Sequence, residues 1–236
     1  MRADASTLHG ADLPAIAAVH RLEITRAAVV LGSTQSNDVV DVDEVRTRGA
    51  DLVRRRSGGG VVVLGIDDHL WVDIVVPRDH PLWDDDVARA AWWVGEAWCA
   101  ALGAAGVPGV LDVHRDGPQL PPQERALCFF DLGAGEVTRD GRKLVGVSQR
   151  RTRHAARFQC VAYRRFDPAE HLGVLRGAPT WPATQDVAEL GEIEPDRVWQ
   201  ELRGVVNRRL AGPMGRSGEP WGEMWGKMWR KVGRNG

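Results

Sequence analysis

Seven residues, Arg54-Arg55-Arg56-Ser57-Gly58-Gly59-Gly60, followed by the apolar run Val61-Val62-Val63-Leu64, constrain this chain more than any other stretch. Glycine gives up more backbone freedom on folding than any other residue, so three in a row need a compensating use. One use is close approach: bare N–H groups face an anion, and the upstream arginines supply counter-charge. The plain alternative is a flexible turn beside a solvated arginine patch. Residues 52–55 and 61–64 read as strands, so the triplet is expected between two strands of one sheet, where a small-molecule cleft opens.

A second stretch strengthens the first reading. Gly141-Arg142-Lys143-Leu144-Val145-Gly146-Val147-Ser148 sets one lysine on a short apolar strand bracketed by glycines. An ammonium reaching into a cleft stabilises negative charge on a carbonyl or phosphoryl oxygen. The alternative is an exposed lysine at a hairpin turn, a description that Arg142 fits better. In this order the two stretches resemble the lipoate-protein ligase family, related to biotin-protein ligases and to lipoyl or octanoyl transferases. That family carries an Arg-Arg-x-Ser-Gly-Gly-Gly loop and a later Gly-x-Lys-x-x-Gly-x-Ala-type segment. Leu31-Gly32-Ser33-Thr34-Gln35 is similar to the family's Leu-Gly-x-x-Gln stretch. Cys128-Phe129 precedes the lysine segment as in some octanoyltransferase-like members. The resemblance spans roughly 28–175.

The resemblance implies an α+β fold: a mixed β-sheet with flanking helices, like the catalytic domains of class II aminoacyl-tRNA and biotin synthetases. That domain is expected over 1–210, with a linker and a short Trp/Met-rich segment over 211–236. The implied reaction has two steps. A lipoate or octanoate carboxylate attacks ATP, with Mg2+ held mainly by phosphates, to give an acyl-adenylate. A lysine of a lipoyl carrier domain or a glycine-cleavage H-type protein then takes the acyl group as an amide. Carried onto this chain, Arg54 and Arg55 neutralise phosphate, and Gly58, Gly59 and Gly60 close over the adenylate or acyl carboxyl. Ser57, Gly146 and Ser148 are further binding positions, and Lys143 polarises the mixed-anhydride carbonyl.

Cys128 supports a second reading, an ATP-independent octanoyl or lipoyl transferase carrying the acyl group on its thiol; a nearby lysine is one way to lower a thiol's pKa. Against that stands the ordinary fate of a cysteine beside Phe129 and Phe130, which is burial. A third reading, a non-catalytic ligand-binding homologue, rests on departures from the family pattern. Leu64 and Gly65 stand where many members have His-Asp, and Gln159-Cys160-Val161 where Gln-His-Gly is usual. Ser148 replaces an alanine-type position, and an Asn-Asp pair before the lysine is not recognisable. The ligase is the leading expectation.

Composition narrows the field. A net charge of −1 over 236 residues gives no broad electrostatic footprint for nucleic acid. No run of about eighteen uncharged apolar residues suggests a membrane span. The first twenty residues make a poor signal peptide. Cys99, Cys128 and Cys160 form neither a disulfide framework nor a zinc pattern, so the expected compartment is a reducing cytoplasm.

Residues 1–16 read as a loose start with one short helical turn. Strands are expected at 20–25, 27–31, 70–76, 106–112 and 158–163, and short consecutive strands at 127–130, 136–138 and around Lys143. Helices are expected at 39–48, 87–102, 167–175, 186–190 and 196–210. The 87–102 helix carries the stripe Ala88, Ala91, Trp92, Gly95, Trp98 and Leu102, read as core rather than as a ligand cage. Trp221, Met224, Trp225, Met228 and Trp229 form a seam on a packed or fraying end helix, with a docking helix as the alternative.

Overall fold

The computed structural model describes residues 1–121, 124–177 and 187–212. The chain runs β1 (Arg2–Ala3), α1 (Ala5–Gly10), β2 (Ala18–Ile24), β3 (Ala28–Leu31), α2 (Val42–Thr47), β4 (Asp51–Arg54), β5 (Val62–Leu64), β6 (His69–Pro77), α3 (Val87–Ala104), β7 (Leu111–Val113), β8 (Val137–Arg139), β9 (Arg142–Arg151), β10 (Ala155–Tyr163), α4 (Pro168–Gly173) and α5 (Pro195–Ala211). Two sheets carry it. The larger has seven strands in the order β1-β2-β6-β10-β9-β8-β7, antiparallel except between β1 and β2. The smaller has β3 at its centre, parallel to β4 and antiparallel to β5. The expected mixed α+β architecture is therefore present, with the glycine triplet between two strands of one sheet.

Period-two alternation decides what each face of the large sheet meets. On β6, Leu70, Val72, Ile74 and Val76 join Ala156, Phe158, Cys160 and Ala162 of β10 in a core with α3 and α5. Trp71 projects to the other side, where it packs with Ala5 and Leu8 of α1 and with Ala28, Val30 and Leu64 of the small sheet. The small sheet's remaining face is closed by Val40, Val45, Val174 and Leu175. Helices and small sheet thus sandwich the large sheet, and the glycine loop lies over its second face.

Several expectations change. The 39–48 helix is a 3-10 turn, Asn37–Val39, followed by α2, because Asp41 caps the Asp43 and Glu44 N–H groups and starts the helix there. Helix α3 is capped by Asp86, and its buried face is wider than the expected stripe. Ala91, Gly95, Trp98 and Leu102 of that stripe are buried and are joined by Ala90, Val94, Ala97 and Ala101, whereas Ala88 is exposed and Trp92 half-buried. The cause is α5, whose Val198, Leu202 and Val206 cover a second flank of α3. The 127–130 stretch is not a strand but a 3-10 turn, Cys128–Phe130, tied to the small sheet by a bridge between Val61 and Leu127. Residues 187–190 are not helical; Ala188 and Leu190 donate to the carbonyls of Lys143 and Tyr163 and fill the core. The Trp/Met seam lies outside the described residues. Among the described residues no helix is long and apolar enough to cross a membrane.

Beside the small sheet, His171 of α4 is buried, stacked on Phe166 at 4.0 Å with Tyr163 edge-on at 5.1 Å. Burial pulls its pKa down to about 4, so it stays neutral in the fold and takes a proton in the unfolded chain below pH 6.5. Its contribution to stability is therefore complete above pH 6.5 and is lost as pH falls toward 4. His171→Phe is expected to remove up to about 3 kcal/mol of the acid-induced stability loss over that window. Denaturant titrations at a series of pH values read this directly. An unchanged pH slope would contradict a neutral His171.

Candidate active site at the glycine loop and Lys143

The glycines first serve close packing of main chain on main chain. A Cβ at Gly60 would lie 2.6 Å from the Arg125 carbonyl oxygen and from the Cys128 nitrogen. A Cβ at Gly32 would lie 1.9 Å from the Gly59 carbonyl oxygen. Gly59 itself has a φ of 101°, which a side chain disfavours. Gly58 has open space around it. Gly60→Ala is therefore expected to cost the upper end of the overpacking range, about 3 kcal/mol, while Gly58→Ala stays within about 0.5 kcal/mol of the parent. Thermal melts of the two variants test this, and equal midpoints would contradict it. Among the described residues, the N–H groups of Gly58, Gly59 and Gly60 donate to no protein acceptor.

The arginines are placed otherwise than the sequence suggested. Arg55 is buried and turns inward: Nη2 donates to the carbonyls of Gly58 at 2.7 Å and Gly60 at 2.9 Å, and Nε to Gly58 at 3.2 Å. It braces the loop from behind. Arg54 donates to the carbonyls of Gly32 and Gln35 and to Oδ1 of Asn37, holding the turn after β3. Arg56 reaches the exposed carboxylate of Asp12.

Ser57 anchors the loop to the large sheet. Only 1% exposed, its hydroxyl donates to Oε1 of Gln159 at 3.0 Å and lies 3.0 Å from Oγ of Ser148. Gln159 and Ser148 face each other across β10 and β9, which makes one platform for the loop. Nε2 of Gln159 continues to Nδ1 of His9 at 3.2 Å. Burial, with Arg55 and Arg157 nearby, lowers the His9 pKa to about 3. Alongside, Asp73 is fully buried and takes Nε1 of Trp71 at 2.8 Å and the Arg157 guanidinium at 2.5 Å; burial raises its carboxyl to about 6.

Lys143 is inside, 5% exposed. Its ammonium donates to the carbonyls of Cys128 at 2.7 Å and Asp131 at 2.8 Å, and pairs with Oε2 of Glu136 at 2.6 Å. Phe129 lies beneath it, 4.9 Å from ring centroid to nitrogen. Three hydrogens thus meet three acceptors. Glu136 also accepts from the N–H groups of Gly133 at 2.7 Å and Val147 at 3.0 Å. No sequence pattern pointed to Glu136; its only advance sign is a carboxylate directly after the Gly133-Ala134-Gly135 turn. Asp131, equally unforeseen, caps the N–H groups of Gln119, Leu120 and Leu132 and pairs with Arg125 at 3.0 Å.

A cleft of about 820 Å3 opens here, bordered by Gly58, Gly59, Gly60, Cys128, Lys143 and Ser148. Gly146 closes against the Phe129 ring, 3.1 Å from where its Cβ would stand, and lines a narrower inner cavity. The half-buried Cys128 borders both spaces, and its Sγ lies 3.8 Å from where a Gly59 Cβ would stand. Glycine loop, thiol and lysine are therefore brought together, while Arg54 and Arg55 are committed to main-chain carbonyls. Of the cleft's basic residues, Arg125 is paired with Asp131 and Lys143 with Glu136.

Comparison with known proteins gives a consistent lineage. The chain matches octanoyltransferase LipM of Moorella thermoacetica at 34% identity over 112 residues, 48% of this chain and 40% of that protein. It matches LipM of Clostridioides difficile at 28% over 115 residues, 48% and 41% of the two chains. The chain thus spans about two fifths of the length of the curated relatives it matches. In fold it is similar to lipoate-protein ligase A bound with ATP, with a TM-score of 0.63 and 20% identity over 88% of this chain and 78% of that one. Protein Ta0514 from T. acidophilum with bound lipoic acid gives a TM-score of 0.61 and 20% identity, over 81% and 71% of the chains. Residues 6–198 match the family described as the lipoyl protein ligase A/B catalytic domain, and the chain belongs to that family.

Proposed function

We propose that this chain transfers an octanoyl or lipoyl group to a lysine of a lipoyl carrier domain, or of an H-type protein, through a thioester on Cys128 and without ATP. The carrying observation is the thiol's position, against the glycine bend and between the cleft and the inner cavity. This reverses the order of the sequence expectations, in which the ATP-dependent ligase came first. Two further observations support the change: Arg54 and Arg55, expected to meet phosphates, donate to main-chain carbonyls, and the curated relatives bear the name octanoyltransferase. A solved relative pairs a bi-partite lipoate protein ligase with its E2 lipoyl domain, consistent with a carrier-domain acceptor.

In the first step the Cys128 thiolate attacks the carbonyl of an acyl thioester donor. The new C–S bond forms, and the donor's sulfur leaves and takes a proton. The unpaired N–H groups of Gly58 to Gly60 are the donors best placed to receive the oxyanion. In the second step the carrier lysine, as free amine, attacks the Cys128 thioester; the amide forms and the amine's proton passes to the departing sulfur. Lys143 acts as a positioning residue, holding the carbonyls of Cys128 and Asp131 so that the thiol faces the cleft. The ligase and transferase readings part on one experiment. Octanoyl thioester donor plus lipoyl domain, without ATP, is expected to give octanoylated domain, whereas free octanoate or lipoate plus ATP and Mg2+ gives none. Product only in the second mixture would replace this reading with the ligase.

A further inference from the structure

Lys143 brings no uncompensated charge to Cys128, because Glu136 neutralises it in place. A second cation bordering the cleft, Arg125, is matched by Asp131. His9, at the edge of the inner cavity, is a neutral ring, its pKa lowered to about 3 by burial and then by Arg55 and Arg157. Tyr163 is neutral as well: burial lifts its phenol, and its hydroxyl donates to the Val63 carbonyl at 2.6 Å. Arg55 is different. It is buried, and among the described residues its guanidinium meets no carboxylate; its hydrogens go to the carbonyls of Val30, Gly58 and Gly60. Carbonyl dipoles solvate a cation but leave its charge in place, and a buried charge without a counter-ion is costly. Burial accordingly pulls the Arg55 pKa down, and a thiolate at Cys128 is the foremost group holding it up. Two distances bring guanidinium and sulfur together. From the point where a Gly59 Cβ would stand, Nη2 of Arg55 is 2.7 Å away and Sγ of Cys128 is 3.8 Å. Both side chains border the inner cavity, about 30 Å3, which has room for about two waters. So little solvent screens the pair weakly.

We propose that Arg55 is the charge partner of the Cys128 thiolate, a positioning residue that acts through the sulfur while its hydrogen bonds hold the glycine loop. The inference rests on the acyl-transfer reading for the purpose of the thiolate, and its test does not depend on transfer. One guanidinium then serves both parts of the site. The fork that shapes the bend from Gly58 to Gly60 also keeps the nucleophile ionised before an acyl group arrives.

The test is the rate of iodoacetamide alkylation at Cys128 against pH, read by peptide mass in the parent, Arg55→Gln and Arg55→Lys. Glutamine offers amide hydrogens to the loop carbonyls without charge, and lysine keeps the charge without the fork. Removing the cation makes the thiol hold its proton to higher pH. The Arg55→Gln profile is therefore expected to lie at least about one pH unit above the parent's, a tenfold slower reaction at the foot of the curve. Arg55→Lys is expected to stay closer to the parent than to Arg55→Gln. Cys99 is the internal reference: burial and Asp112 push its thiol up to about 11, and its profile is expected to be the same in all three chains. A brace without an electrostatic role changes the plateau rate, through exposure of the thiol, and leaves the midpoint where it was. That result would overturn the proposal, as would equal displacement in the two variants. Should neither variant fold, spectra of the parent decide: the Arg55 Nε–H resonance is expected to move with the same pH midpoint as the Cys128 13Cβ resonance, and an Arg55 resonance that ignores that titration overturns the pairing. Acyl-enzyme formation at Cys128, measured separately, judges the transfer reading. An acyl-enzyme formed with coincident alkylation profiles sinks only the role of Arg55.

Discussion

Cys128→Ser is expected to lower turnover with an acyl thioester donor at least about a thousandfold, equivalent to about 4 kcal/mol of barrier, with little change in stability. The substitution is nearly isosteric at a half-buried side chain, and the backbone of Cys128 keeps its place because its N–H is bonded to the Val61 carbonyl at 2.9 Å. What changes is the nucleophile. A serine hydroxyl needs a base to take its proton, and the neighbouring ammonium of Lys143 has its three hydrogens committed to Cys128, Asp131 and Glu136. Initial rates of lipoyl-domain acylation, alongside thermal melts, measure both parts. Turnover within a few fold of the parent would remove Cys128 from the reaction.

Lys143→Met is expected to destabilise the fold by about 3–5 kcal/mol, because it leaves the Glu136 carboxylate buried without its counter-charge. The carbonyls of Cys128 and Asp131 lose their shared donor at the same time, so the turn carrying the thiol loosens. Glu136 would keep only its two backbone donors, Gly133 and Val147. Adding Glu136→Gln removes the stranded charge, and the double variant is expected to recover part of the stability without recovering activity. A double-mutant cycle on unfolding free energies then gives a coupling of about 1–3 kcal/mol. Additive effects would mean that the pair is not a structural unit, and full activity in the double variant would show that the hold on the Cys128 turn is dispensable.

What the sequence disclosed was local. The glycine triplet, Ser57 and Lys143 stand in short contiguous patterns, and the largely apolar runs at 70–76 and 158–163 mark strands of the large sheet. What it concealed depends on residues far apart in the chain. Arg55 reads as a phosphate ligand because an arginine before glycines has charge to offer; only the folded loop shows carbonyls of Gly58 and Gly60 turned back onto it. Glu136 became visible only once β9 brought Lys143 alongside it. His9 lay in a stretch that read as a loose start, yet Ala5 and Leu8 are core residues and carry the imidazole to Trp71. The tryptophan stripe on α3 was read for one neighbour, whereas α5 supplies a second and widens the buried face.

The most direct measurement is the intact mass of the protein after mixing with an octanoyl thioester donor and no acceptor domain. The account predicts one octanoyl group per chain, mapped to the peptide containing Cys128, released by hydroxylamine, and passed on to a lipoyl domain when one is added. A chain that stays unmodified, or that carries the group elsewhere, while free acid and ATP together yield acylated domain, would contradict it.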